Sequence, residues 1–225
     1  KCERFAPKTS VDGILTAAKE SDFAVINLHG SPGEDGLIQA ILGKVGCPYQ
    51  GADPASSLLA IDKAASKSLF TRAGLKNAPW QVLHELPLDG WQPDLAYPVF
   101  IKANTGGSRL HMEKVNRPED LRPALERLFD LGSCYIVESA VTGTDITCAV
   151  LGYLQDGKEE ATALPPILIK PASGGVFDYE SKYAPGGAEE ICPAPITEEL
   201  TQKLQAMALQ APKLLGISGP VPSPP

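Results

Sequence analysis

No stretch of the 225-residue sequence approaches the roughly 18 or more consecutive apolar residues of a membrane-spanning helix, so no membrane partner is expected. The opening KCERFAPKTS also lacks the apolar core and small-residue end of a secretion signal, which points to the cytoplasm. Basic residues are scarce: 20 Lys and Arg stand against 27 Asp and Glu, for a net charge of −7. A nucleic-acid partner is therefore excluded as the main ligand, and a polyanionic small molecule would need a local basic site. The five cysteines form no C-x-x-C pair and have no histidine at ligand spacing, which excludes a zinc ribbon or a disulfide framework. They are expected to be small core residues. The nucleotide motifs G-x-x-x-x-G-K-[ST] and G-x-G-x-x-G are both absent, as is any internal repeat.

What is present is 43% hydrophobic residues, enough for a real core in one large domain or two to three small lobes. The run FAVINL (23–28) reads as a buried parallel strand, followed by a helix from Gly36 to Val45 that Gly46 stops and a short strand at Cys47-Pro48-Tyr49. A second helix is expected after Asp53, with Pro54 at its first position, continuing to Gly74. This alternation favours an α/β lobe with a parallel sheet. Residues 85–98, rich in Pro, Gly and Asp, read as a connection between lobes. A strand at Val99–Ile101, a helix striped by Leu121, Leu125, Leu128 and Phe129, and strands at 135–138 and 146–154 follow in the α+β manner. The last third shows a strand-like run from Ala163 to Ile169 and a helix from Thr197, an N-cap, to about Leu215, which Pro212 should kink or end.

Four places carry possible chemistry. Lys102 closes an apolar strand just before Gly106-Gly107-Ser108, where backbone N–H groups and the Ser108 hydroxyl suit phosphates, although a plain strand end and glycine turn has the same look. Glu138, Ser139, Val141 and Asp145 set carboxylates and exposed backbone in a row that suits an adenine edge and ribose hydroxyls, or a solvated acidic strand end. The loop from His29 to Gly36 brings three glycines ahead of a helix N-terminus, a place for a carboxylate or phosphate, or simply a capped loop with a structural histidine. Lys182 and Tyr183 lie among acids in DYESKY, where Lys182 suits a transferring phosphoryl group and a solvated charge cluster is the alternative.

Taken together, HGSPGEDG (29–36), IDK (61–63), PVFIKAN (98–104), the segment 137–152 and DYESKY (178–183) resemble the D-alanine–D-alanine ligase family of ATP-grasp enzymes in order and spacing. Agreement among separate motifs outweighs each alone. The resemblance implies α/β and α+β architecture in three lobes, 1–52, 53–140 and 141–225, the last truncated. It implies Lys63 and Lys102 as nucleotide-phosphate lysines, and Glu138, Ser139, Val141 and Asp145 as adenine and ribose readers. It further implies Ser108 on a loop closing over ATP, Lys182 at the γ-phosphate, and His29 and Tyr183 near the two D-alanine sites. The implied reaction forms an acyl phosphate from one D-alanine and lets the amine of a second displace phosphate. ATP and Mg²⁺ (or Mn²⁺) are its cofactors, and a cytoplasmic homodimer making peptidoglycan precursors is the implied setting.

The sequence departs from that pattern in two regions. One serine and a glycine of the family's G-S-S-x-G loop are absent at Gly106–Leu110, and no amino-terminal substrate segment precedes His29. Beyond Gly216, Pro222 and Pro224 stand where the family carries an arginine and its first metal-binding aspartate, so no metal ligand is assigned. A chain ending this way is expected to bind adenine nucleotide weakly and to have little or no ligase activity. A D-alanine–D-lactate type of ligase and a nucleotide-binding remnant remain as alternatives.

Overall fold

The computed structural model describes residues 11–106, 111–152, 154–155, 158–159, 161–172 and 186–217; of 154–155 and 158–159 it describes the backbone. The first lobe begins with α1 (Val11–Lys19), which the sequence reading had not anticipated, and continues with α2 (Leu37–Lys44). Ala18, Ile38, Leu42, Cys47 and Tyr49 form its small core, with Ala24, Ile26 and Leu28 packed against it. The expected parallel strand at 23–28 is reduced to one parallel bridge, Ala24 to Tyr49. The segment keeps strand-like alternation and is buried on one face only: Ala24, Ile26 and Leu28 turn inward, while Phe23 and Val25 are 50% and 76% exposed. The Gln50 side chain takes the place of a neighbouring strand, accepting from Ile26 N at 2.8 Å and donating to Ile26 O at 2.7 Å.

The helix expected from 54 to 74 is two helices. α3 (Pro54–Ile61) starts on Asp53, whose carboxylate accepts from the Ala55 and Ser56 amides. α4 (Lys63–Arg72) starts on Asp62, which has extended backbone (φ −79°, ψ 103°) and accepts from Ala65 N. An aspartate that caps competes with helix continuation at that residue, which accounts for the break. Gly74, at φ +78°, ends α4 by letting Leu75 N reach back to Phe70 O.

A four-stranded antiparallel sheet follows, with β1 (Trp80–Leu83), β2 (Val99–Ala103), β3 (Met112–Val115) and β4 (Tyr135–Ser139) in the order β1-β4-β2-β3. The segment 85–98 has no helix or strand, as expected, but it links two strands of this one sheet rather than two lobes. One face of the sheet packs on α5 (Leu121–Phe129). Val99, Ile101, Tyr135 and Val137 meet Leu121, Ala124, Leu125 and Leu128 there, all 2% exposed or less. The register puts Phe100, Lys102, Ile136 and Glu138 on the other face.

Crossing from β4, residues 140–144 lead to a second sheet, β11-β10-β5, formed by β5 (Asp145–Thr147), β10 (Ile167–Pro171) and β11 (Ala188–Ile191). Between them lie short pairs: β6 (Val150–Leu151) with β9 (Thr162–Ala163), and β7 (Leu154–Gln155) with β8 (Lys158–Glu159). The run expected as one strand from 146 to 154 is thus three pieces. The run from 163 to 169 is also divided, because Pro165 and Pro166 lack the N–H groups a ladder needs. The last helix, α6 (Glu198–Leu214), starts on Thr197 as expected, and its hydroxyl accepts from Leu200 N. Pro212 sits in the final turn, where the chain closes with Ile217 N on Pro212 O and Gly216 N on Lys213 O. No helix among the described residues is long and apolar enough to cross a membrane.

The cysteines correct another expectation. Among the described ones Cys47 is buried, Cys134 and Cys148 are half-buried, and Cys192, just past an edge strand, is exposed.

Candidate functional site

Lys63 owes its place to the Asp62 cap. With α4 starting there, the Lys63 amide donates to Asn104 O at 3.0 Å, and its ammonium donates to the carbonyls of Ala103 at 2.9 Å and Gly106 at 3.0 Å. Asn104 completes the junction. It is buried, its Oδ1 accepts from Ala64 N at 2.9 Å, and its own amide donates to Cys134 O at 2.9 Å. One asparagine thereby joins the helix start, the end of β2 and the segment before β4.

Lys102 and Glu138 meet because of strand register. Lys102 lies opposite Ile136, so Glu138 is its diagonal neighbour on the same sheet face. The Lys102 ammonium donates to Glu138 Oε1 and stands 5.2 Å from the Phe100 ring centroid. Lys67, one helical turn beyond Lys63, reaches the other oxygen, Oε2, at 3.1 Å. Both members of this second pair are well shielded, with side chains 15% and 14% exposed.

The electrostatics follow from burial and proximity. Burial, then the neighbouring charge of Lys102, pushes the Lys63 ammonium below the ordinary lysine value. Burial would raise the Glu138 carboxyl, but hydrogen bonding and charge from Lys102, then from Lys67, overcome it and hold it below the ordinary carboxylate value. Two ammonium groups on one carboxylate, with a third on the carbonyls at the end of β2, make a local basic site in an acidic chain. Such a site can receive a compact polyanion by exchanging carbonyl and carboxylate partners for phosphate oxygens.

Other residues singled out in the sequence are placed differently. Ser139 continues β4, and its amide is spent on Pro79 O. Val141 is 75% exposed in the crossover, and Asp145 opens β5 opposite Ile169. Glu138, expected to face adenine or ribose, has both oxygens committed to lysines. His29 is exposed on the first lobe, whereas Lys102 and Glu138 stand on the four-stranded sheet. Ser108, Lys182 and Tyr183, together with 218–225 and its prolines, lie outside the described residues.

Three amides of the His29–Gly36 loop and the helix start after it are engaged by local acceptors. Leu37 N is taken by Asp35 Oδ1 at 3.0 Å, Ile38 N by Pro32 O, and Gly30 N by Glu34 Oε2. Two of its glycines serve packing: a Cβ on Gly33 would collide with Leu28, and one on Gly36 with the Pro54 carbonyl.

Two residues were missed by the sequence reading. Lys67 was recognisable from its four-residue spacing to Lys63 on one helix; Asn104 had no local signal beyond its place after the strand. Among the described residues no group of three or more His, Cys, Asp or Glu side chains is arranged to hold a metal ion, so no residue is assigned to one.

Residues 69–221 match the family described as the D-Ala D-Ala ligase C-terminus. The chain is 54% identical over 215 residues to the D-alanine–D-alanine ligase of Nitratidesulfovibrio vulgaris (strain DP4), spanning 96% of this chain and 68% of the relative.

It belongs to the D-alanine–D-alanine ligase family.

A more distant member, the D-alanine–D-alanine ligase of Leptospira interrogans (strain Fiocruz L1-130), is 37% identical over 207 residues, 89% of this chain and 59% of its own. Among solved structures, the Bacillus anthracis D-alanine–D-alanine ligase complexed with ATP superposes with a TM-score of 0.74 at 28% identity, covering 95% of this chain and 66% of that one. VanG D-Ala:D-Ser ligase from Enterococcus faecalis gives 0.73 at 32% identity, covering 88% and 57%. The mixed helix-and-sheet architecture is thus the ATP-grasp fold of these ligases. The chain spans about two thirds of the curated relatives' length, 68% of the first and 65% of the Desulfovibrio desulfuricans ligase, and 53% of the Coxiella burnetii ligase structure.

Proposed function

We propose that this chain provides the nucleotide-binding part of an ATP-dependent ligase that joins two D-alanines for peptidoglycan precursor synthesis in the cytoplasm. The observation that carries this reading is the meeting of Lys67 and Lys102 on Glu138, with the Lys63 ammonium held on the Ala103 and Gly106 carbonyls at the end of the strand that carries Lys102. ATP is taken with Mg²⁺ or Mn²⁺, and the working protein is a homodimer. The lobes divide at 52/53 and 140/141: the second contributes the lysines, and the nucleoside is met at the crossover by Ser139 of the second lobe and by Val141 and Asp145 of the third.

In the reaction a D-alanine carboxylate oxygen attacks the γ-phosphorus and ADP leaves with the β–γ bridging oxygen. The amine of the second D-alanine then adds to the acyl carbon, loses a proton and expels inorganic phosphate. Lys63 and Lys102 bind phosphate oxygens and offset the charge that gathers on them. Ser108 closes over the phosphates, Lys182 meets the γ-phosphoryl group, and His29 and Tyr183 line the amino-acid sites.

Isothermal titration with a non-hydrolysable ATP analogue tests the nucleotide reading. Saturable binding that is competed by ATP and lost in Lys102→Ala supports it; no saturable heat contradicts it. Phosphate release from ATP then separates the chemistries. Release that rises with D-alanine alone supports dipeptide ligation, whereas release that also needs D-lactate marks the depsipeptide type.

A further inference from the structure

We propose that Lys67 is a positioning residue for nucleotide capture: it remains on Glu138 as a standing counter-ion, which frees Lys102 to pass from that carboxylate to the nucleotide's phosphates. This rests on the nucleotide-site reading above.

The argument begins with an asymmetry between the two lysines that share Glu138. Lys67 is the more enclosed, 15% exposed against 29% for Lys102. Besides Glu138 Oε2, the Lys67 ammonium has Asn77 Oδ1 at 3.4 Å and Ala78 O at 3.5 Å. It therefore ties α4 to the strand entering the sheet. Asn77 is itself held, its amide donating to Thr71 Oγ1 at 2.9 Å. Lys102 has no such second anchor in the described contacts; beyond Glu138 Oε1 it has the Phe100 ring face.

The two ammoniums also use different oxygens of the carboxylate, so either can leave without disturbing the other's contact. If Lys102 were the sole partner, its departure would strand a shielded carboxylate without compensation, a severe penalty that would oppose phosphate binding. With Lys67 in place, the carboxylate stays paired throughout the exchange. The less anchored lysine is then the one that moves, and it lies on the strand leading to the segment 104–106.

A double-mutant cycle in the full chain tests this, with affinity for the non-hydrolysable ATP analogue read by titration. Lys67→Met keeps the stem and removes the charge; it is expected to weaken binding about tenfold or more, and Lys67→Arg to restore it to within about threefold. In a Glu138→Gln background, with no carboxylate to hold, Lys67→Met should change affinity by less than about twofold. An equal loss in both backgrounds, or no loss in either, overturns the proposal, since a purely packing role would be indifferent to residue 138. A wild-type chain that binds no analogue overturns the nucleotide reading and this proposal with it, a pattern distinct from additive losses. Lys67→Gln carries the same cycle if Lys67→Met lacks a cooperative thermal transition.

Discussion

Asn104 holds three pieces of the site together with one residue. Its side-chain oxygen satisfies the Ala64 amide at the start of α4 while its backbone receives Lys63 and reaches Cys134. Replacing it with Ala leaves the backbone contacts possible but orphans a half-buried N–H, which costs about 1 kcal/mol. Urea unfolding of Asn104→Ala should show that loss, and unchanged stability would contradict the role. Glu138 makes a second test, through pH. Its folded carboxyl value lies below the ordinary one, so its stabilisation is complete above the unfolded value and is lost as pH falls through the folded value. Stability should therefore decline on acidification through the carboxylate range, and Glu138→Gln should flatten that part of the profile. An identical slope in the variant contradicts the assignment. Lys63 and Lys102 were readable because they stand in motifs, but the sequence does not say what an ammonium touches before a ligand arrives. Glu138 was read as a ligand contact for the same reason: its two lysine partners are fixed by strand register and helix placement, neither of which is local.

Asp62 decides the geometry of the α3–α4 pair. No Pro or Gly interrupts the sequence between Pro54 and Gly74, which is why one helix was expected, whereas the capping carboxylate splits it and sets Lys63 at a helix start. Asp62→Ala removes the acceptor for Ala65 N and should cost about 0.5–2 kcal/mol in unfolding experiments. It should also weaken analogue binding, because a continuous helix would draw Lys63 away from the 103–106 carbonyls; a stability loss with unchanged affinity would separate the cap from the site. The strands escaped notice where they were short. β1 and β3 have four residues each, and MEKV carries too little alternation to mark a strand without its neighbour. α5 was plain because Leu121, Leu125, Leu128 and Phe129 fall on one helical stripe that the sheet covers. Pro165-Pro166 was visible in the sequence, and its ladder-breaking consequence applies once a sheet is known to lie there.

Across the molecule, the two sheets are joined at 140–144, and the lysine cluster sits on the face of the first sheet away from α5. An acidic chain of net charge −7 thus concentrates cations in one place, where strand register, a capped helix and a buried asparagine converge. The most direct measurement is a crystal structure of the chain with a non-hydrolysable ATP analogue. The expected result has a phosphate oxygen within about 3 Å of the Lys102 ammonium, Glu138 Oε1 released from it, and Lys67 still on Oε2. An analogue bound elsewhere, with Lys102 still paired to Glu138, would contradict the nucleotide assignment.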